Sequence, residues 1–92
     1  MYELVPTKRY KKDLKLIENQ KKKIADLESV LDKLKNGITL EPKHRDHPLK
    51  GNYKGCRECH VDPDLLFIYR IDKGDLVLLA FRVGSHSDLF KK

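Results

Sequence analysis

Hydrophobic and polar positions change period along this chain, and the change divides it in two. From about Thr7 to Gln20, Tyr10, Leu14 and Ile17 recur at helical spacing, with Lys8, Lys11, Lys12 and Lys15 largely off that stripe. Thr7 suits an N-cap, because its hydroxyl can accept a bond from an otherwise unpaired N–H of the first turn. A second helix is predicted over about Lys22 to Leu34, with Ile24, Leu27, Leu31 and Leu34 on its apolar face. Asn36-Gly37 ends it, since glycine fits a left-handed C-cap. The last third instead carries short apolar runs, Leu65 to Ile71 and Leu76 to Val83, rich in branched and aromatic residues. Both are too short for typical helices and read as strands. Asp72-Lys73-Gly74-Asp75 reads as the hairpin turn between them, with Gly74 placed to take positive φ. A third strand, about Gly55 to Val61, joins the first through Asp62-Pro63, where proline presets a turn, and residues 2–5 suit a short opening strand.

Two helices with one apolar stripe each, beside strands apolar on both faces, predict an α+β fold. The helices should form a hairpin on one face of an antiparallel sheet of about four strands, leaving the other face partly free for a ligand. Thr39 to Lys54 holds Pro42, Pro48, Gly51 and many charges, which predicts a long surface loop. At 92 residues the expectation is one small domain, 1–92, with a modest core. No apolar run approaches the roughly 18 residues of a membrane span, and no signal-peptide pattern opens the sequence, so a cytoplasmic protein with reduced thiols is expected. The formal net charge of +6 favours a polyanionic partner. The run 21-KKK-23 lies between the helices as a basic interhelical turn.

Cys56-Arg57-Glu58-Cys59-His60 matches the C-x-x-C-H of c-type haem attachment, but without an export signal and leading straight into a strand. His44-x-x-His47 with Cys56-x-x-Cys59 has the ligand types for tetrahedral zinc. Residues three apart on a strand face opposite ways, however, so the two cysteines cannot chelate one ion as a turn would allow. Neither metal nor cofactor is therefore expected. The remaining polar groups collect at the sheet ends. His60 and Asp64 flank one turn, Arg82 and His86 close the last strand, and His47 comes from the loop. RNA can be cut by such a set if one group takes the 2′-hydroxyl proton, another protonates the leaving 5′-oxygen and a cation neutralises the phosphorane. Histidine suits both proton roles because its ordinary pKa lies near neutrality. Arginine suits the third because its planar fork matches phosphate oxygens. Asp64, across the Asp62-Pro63 turn, is placed to hold the His60 imidazole in one tautomer. Arg82 is expected on the strand face shared with Leu76, Leu78 and Ala80. Ser85-x-x-Asp88 resembles a capping box that would put His86 in the first turn of a short helix.

Three blocks carry a resemblance: Asp46-His47-Pro48-Leu49-Lys50-Gly51; Arg57-Glu58-Cys59-His60-Val61-x-Pro63-Asp64-Leu65-Leu66-x-Ile68-Tyr69; and Arg82-x-Gly84-Ser85-His86-Ser87-x-Leu89-Phe90. Together they resemble the YafQ branch of the RelE/ParE toxin superfamily. The resemblance implies a RelE-like fold and a type II toxin, neutralised by a DinJ/RelB-like antitoxin, that enters the ribosomal A site and cuts mRNA. It implies functional roles at His47, His60, Asp64, Arg82, His86 and Phe90. His86 would be the general acid and His47 or His60 the general base, with Asp64 supporting it. Arg82 would stabilise the transition state and Phe90 would pack on a nucleotide. Leu65 departs from the pattern, which in its best-known branch has an aromatic residue after the aspartate. Lys8, Lys11, Lys12, Lys15, Lys22 and Lys23 are the candidates for contact with ribosomal RNA, by phosphate neutralisation. The first chemical step would be transesterification to a 2′,3′-cyclic phosphate and a 5′-hydroxyl. The competing reading is a ParE-like toxin that inhibits DNA gyrase without catalysis. A regulatory DNA-binding role is favoured by charge alone, and operator DNA would be met only through the antitoxin.

Overall fold

A computed structural model describes residues 1–90. Strand β1 (Glu3–Pro6) leads into helix α1 (Lys8–Ile17), which turns back into α2 (Lys21–Lys35). A two-residue strand β2 (His47–Pro48) follows, then β3 (Arg57–Asp62), β4 (Leu65–Asp72), β5 (Val77–Gly84) and a short helix α3 (His86–Leu89). The sheet order is β1-β5-β4-β3-β2. No helix among the described residues is long and apolar enough to cross a membrane.

The α+β arrangement is the one the periodicities imply, with α1 and α2 on one face. Thr7 caps α1 as expected, its Oγ1 accepting from the Tyr10 N–H at 3.1 Å. Gly37, at φ +71°, closes α2 in the left-handed conformation. The larger core lies between these helices and the sheet: Tyr10, Ile17, Leu27, Val30, Leu31 and Leu34 meet Cys59, Val61, Leu65, Phe67, Tyr69, Leu78, Ala80 and Val83. Along β4 the strand alternation is strict. Leu65, Phe67 and Tyr69 point to the helices, while Leu66 and Ile68 join a second cluster on the opposite face with Cys56 and Leu89. Cys56 and Cys59 thus serve opposite faces, as their spacing on a strand requires.

Four expectations need correcting. The sheet is mixed, since β1 runs parallel to β5 and only the other pairings are antiparallel. The supposed loop contains a fifth strand, β2, which pairs with β3, and single turns of 3-10 helix over Pro42–His44 and Gly51–Tyr53. In the β4–β5 connection positive φ falls on Leu76 (54°), and Gly74 is not among the positive-φ residues. Leu76 can adopt it because it is half exposed and has no branch at Cβ. The fourth correction concerns Arg82. A register shift between Ile68 and Tyr69 pairs Tyr69 with Ala80 but Ile68 with Arg82, leaving Phe81 as the extra residue of a bulge. The alternation therefore breaks, and Val83 rather than Arg82 continues the helix-facing row of Leu78 and Ala80.

Candidate active site on the second sheet face

The registers lay the polar groups out in two rows. His47 lies opposite Glu58, Glu58 opposite Ile68, and Ile68 opposite Arg82, so one row crosses four strands. In the next row His60 lies opposite Leu66 and Leu66 opposite Gly84. Residues directly opposed share a face, and Leu66 and Ile68 belong to the cluster away from α1 and α2. At one strand spacing per step, the His47 and Arg82 backbones stand about 14 Å apart and those of His60 and Gly84 about 10 Å. Apolar Leu66 and Ile68 form the floor between them.

This face is only partly free, because α3 and the segment after β2 fold across it. Leu89, Phe90, Phe81, Tyr53 and Leu49 cover the floor. Gly84 packs directly under α3, where a Cβ would be in ordinary contact with Leu89 Cδ2 at 3.4 Å. Ser85 Oγ then accepts from the Asp88 N–H at 3.1 Å, which starts α3 and leaves His86 exposed in its first turn. The His86 and Phe90 rings lie 5.1 Å apart, and Phe90 meets Tyr53 edge-on at 6.2 Å.

Arg82 is held more firmly than its sequence position suggests. Its Nε donates to Asp13 Oδ2 at 2.8 Å and its Nη2 to Asp13 Oδ1 at 3.1 Å, a two-point bond to a carboxylate of α1. Asp13 raises the Arg82 pKa above its ordinary value; burial works against this and is outweighed, while the neighbouring Tyr53 hydroxyl adds to the rise. The guanidinium therefore stays charged, held by Asp13 through Nε and Nη2 with the Tyr53 hydroxyl beside it.

The opposite end of the row is looser. His47 Nδ1 donates to the Arg45 carbonyl at 2.6 Å, which leaves Nε2 as the nitrogen that gains and loses a proton. That Nε2 faces Glu58 Oε1 at 3.4 Å. Glu58 is buried, and its Oε2 has no hydrogen-bond partner among the described residues. His60 is half-buried, and its carbonyl accepts from His44 Nδ1 at 2.6 Å. That bond seals the edge of β3 beyond β2.

Other candidates fall elsewhere. Asp64 is exposed at the β3–β4 turn and makes no hydrogen bond to His60 among the described residues; its backbone N–H donates to Asp62 Oδ1 at 2.7 Å. The turn is built by Asp62, so the tautomer-holding role expected of Asp64 has no contact to support it. Lys22 and Lys23 pair with Asp26 at 3.1 Å and Asp62 at 2.9 Å, whereas Lys8, Lys11, Lys12 and Lys15 project from α1 into solvent. Burial would push the Asp62 carboxyl up, but bonds from Lys23 and from the turn backbone hold it below its ordinary pKa. Leu65 is in the helix-side core and offers no face to a base. A cavity of about 640 Å³ between α2, the Pro42–His44 turn and the end of β3 takes in His44, Arg45 and His60 but neither Arg82 nor His86. The rows on the sheet face, not this cavity, gather the candidates. Asp13, Tyr53 and Glu58 escaped the sequence reading. Asp13 did leave a signal, as a carboxylate within the stripe of Tyr10, Leu14 and Ile17.

Residues 2–91 match the family described as the bacterial toxin of type II toxin-antitoxin system, YafQ. The chain belongs to the YafQ toxin family. Over 82 residues it is 38% identical to the mRNA interferase toxin YafQ of Escherichia coli K12, covering 88% of this chain and 87% of that protein. The crystal structure of a metal-bound toxin from Helicobacter pylori superposes with a TM-score of 0.89 at 42% identity, over 98% of this chain and all of that one. The toxin in the Escherichia coli DinJ-YafQ complex superposes with a TM-score of 0.84 at 32% identity, over 98% of this chain and 99% of that one. The metal of the Helicobacter toxin has no evident cage here: among the described residues no three His, Cys, Asp or Glu side chains gather to hold an ion.

Proposed function

We propose that this YafQ-family protein is the toxin of a type II toxin–antitoxin pair and an endoribonuclease that cuts mRNA in the ribosomal A site. Its partner is then a DinJ-like antitoxin, by analogy with the DinJ-YafQ complex, and it acts in the cytoplasm, where messages are translated. The observation that carries the reading is the row His47–Glu58–Ile68–Arg82, with His86 emerging beyond the neighbouring row. It supports a scheme with a proton-transfer group at one side of an apolar floor, and a fixed cation and a second imidazole at the other.

In this reading His47 Nε2 takes the 2′-hydroxyl proton as the oxygen attacks phosphorus, with Glu58 facing the imidazolium so formed. His60, in the next row, is the alternative base. Arg82 presents its fixed positive charge to the phosphorane oxygens, where a preorganised charge lowers the barrier. His86, exposed and backed by Phe90, protonates the departing 5′-oxygen. The products are a 2′,3′-cyclic phosphate and a 5′-hydroxyl. Phe90 and Tyr53 present ring edges to a nucleotide. Lys8, Lys11, Lys12 and Lys15 meet ribosomal RNA, an attraction that weakens steeply with salt.

The test is to add the antitoxin-free protein to a cell-free translation reaction and map the message ends. New ends within translated codons, absent when ribosomes are omitted, support the proposal. Intact message with inhibited gyrase would instead favour a ParE-like poison.

A further inference from the structure

Asp13 occupies the buried stripe of α1, where an apolar residue would fill the space without the cost of desolvating a charge. It is 7% exposed. Both its oxygens are spent on β5: beside the two bonds from Arg82, Oδ2 accepts from the Val83 N–H at 3.1 Å. Six residues earlier, at the N-cap of the same helix, Thr7 Oγ1 donates to the Phe81 carbonyl at 2.8 Å, and the Thr7 N–H donates to the Ala80 carbonyl at 2.9 Å. α1 thus grips the bulge on both sides of the residue it displaces. A buried ion pair adds little stability compared with well-packed apolar residues. What this one does achieve is geometric: a flexible arginine is reduced to one orientation, with the Tyr53 hydroxyl beside it and the Tyr53 ring leading through Phe90 to His86.

We infer that Asp13 is a positioning residue for cleavage, acting through Arg82 by fixing the guanidinium plane at the end of the row. The inference rests on the role proposed above for Arg82. It contacts no substrate itself; its effect is to remove the reorientation that an untethered guanidinium would need as charge develops on phosphorus.

The test compares single-turnover cleavage of a ribosome-bound message by Asp13→Asn, Asp13→Glu, Arg82→Ala and the Asp13→Asn/Arg82→Ala double variant. Thermal unfolding is recorded for each. Asp13→Asn should lower the cleavage rate constant about 10- to 100-fold, the loss typical of a misplaced group. The ribosome concentration giving half-maximal rate should hardly move. In the Arg82→Ala background the same change should be nearly silent, because a residue that acts only through Arg82 has nothing left to position. Asp13→Glu, which keeps the charge but shifts the fork, should fall between asparagine and wild type. Should Asp13→Asn fail to fold, Asp13→Glu carries the same comparison with and without Arg82. Wild-type rates for the Asp13 variants beside a crippled Arg82→Ala would overturn the inference. So would losses that multiply in the double variant, the mark of a purely structural residue. An unimpaired Arg82→Ala would instead refute the role given to Arg82, a separable outcome.

Discussion

The two ends of the proposed catalytic row are built differently. Arg82 is fastened into the molecule by a buried carboxylate on another element, and its side chain is only 11% exposed. His47 sits on a two-residue edge strand, 44% exposed, at 3.4 Å from a carboxylate whose other oxygen has no partner. The contrast follows the chemistry proposed for each. A group that only presents charge gains from being immobile. A group that must collect and release a proton gains from a contact loose enough to survive both states.

The sharpest way to test the contrast is to remove the proposed proton donor and watch both activity and folding. His86→Ala should reduce cleavage about 10²- to 10⁴-fold, the usual worth of a general acid. Its thermal midpoint should stay near that of wild type, because His86 is exposed. A variant as active as wild type would remove the acid from the scheme. Next in size, Asp13→Ala leaves Arg82 buried and unpaired, which should cost about 3–5 kcal/mol. His47→Ala should cost under about 1 kcal/mol, as surface changes do. Chemical denaturation measures both, and equal losses would erase the distinction between a fastened and a loose end.

A third test addresses the core beneath the fastened end. Burial pushes the Tyr10 hydroxyl up to about 12. Its folded pKa lies above the unfolded value near 10, so the associated stability is present in full below pH ~10 and lost as pH climbs toward the folded value. About 2–3 kcal/mol should disappear across that window. The part of the phenolate absorbance that Tyr10→Phe removes should rise with unfolding and not before it. The smallest effect is expected at the loose end, where Glu58→Gln removes a buried and half-satisfied charge. Stability should change by less than about 1 kcal/mol, in the stabilising direction. A large loss would mean that the His47–Glu58 contact is structural after all.

What was legible in the sequence was what is local. The apolar stripes of α1 and α2, the Thr7 and Ser85 caps and the β3–β4–β5 meander all depend on neighbours a few residues away. The parallel pairing of β1 with β5 was not, because it joins the ends of the chain across the two helices. Two residues, His47 and Pro48, carry no period from which β2 could be read. The bulge at Phe81 has the largest consequence: it leaves the residue types of a regular strand unchanged, yet it sets Arg82 opposite Ile68 and out of the row of Leu78 and Ala80. For the same reason Asp64 looked close to His60 in sequence but meets only its own turn.

The central claim is that this face cuts RNA by moving a 2′-hydroxyl proton. Its most direct test is a translated message carrying a single 2′-deoxynucleotide at the mapped cleavage position, compared with the all-ribose message. The account predicts a 2′,3′-cyclic phosphate on the ribose message and no cut at the deoxy site. Equal cleavage of the two, or a free 3′-hydroxyl at the new end, would contradict it.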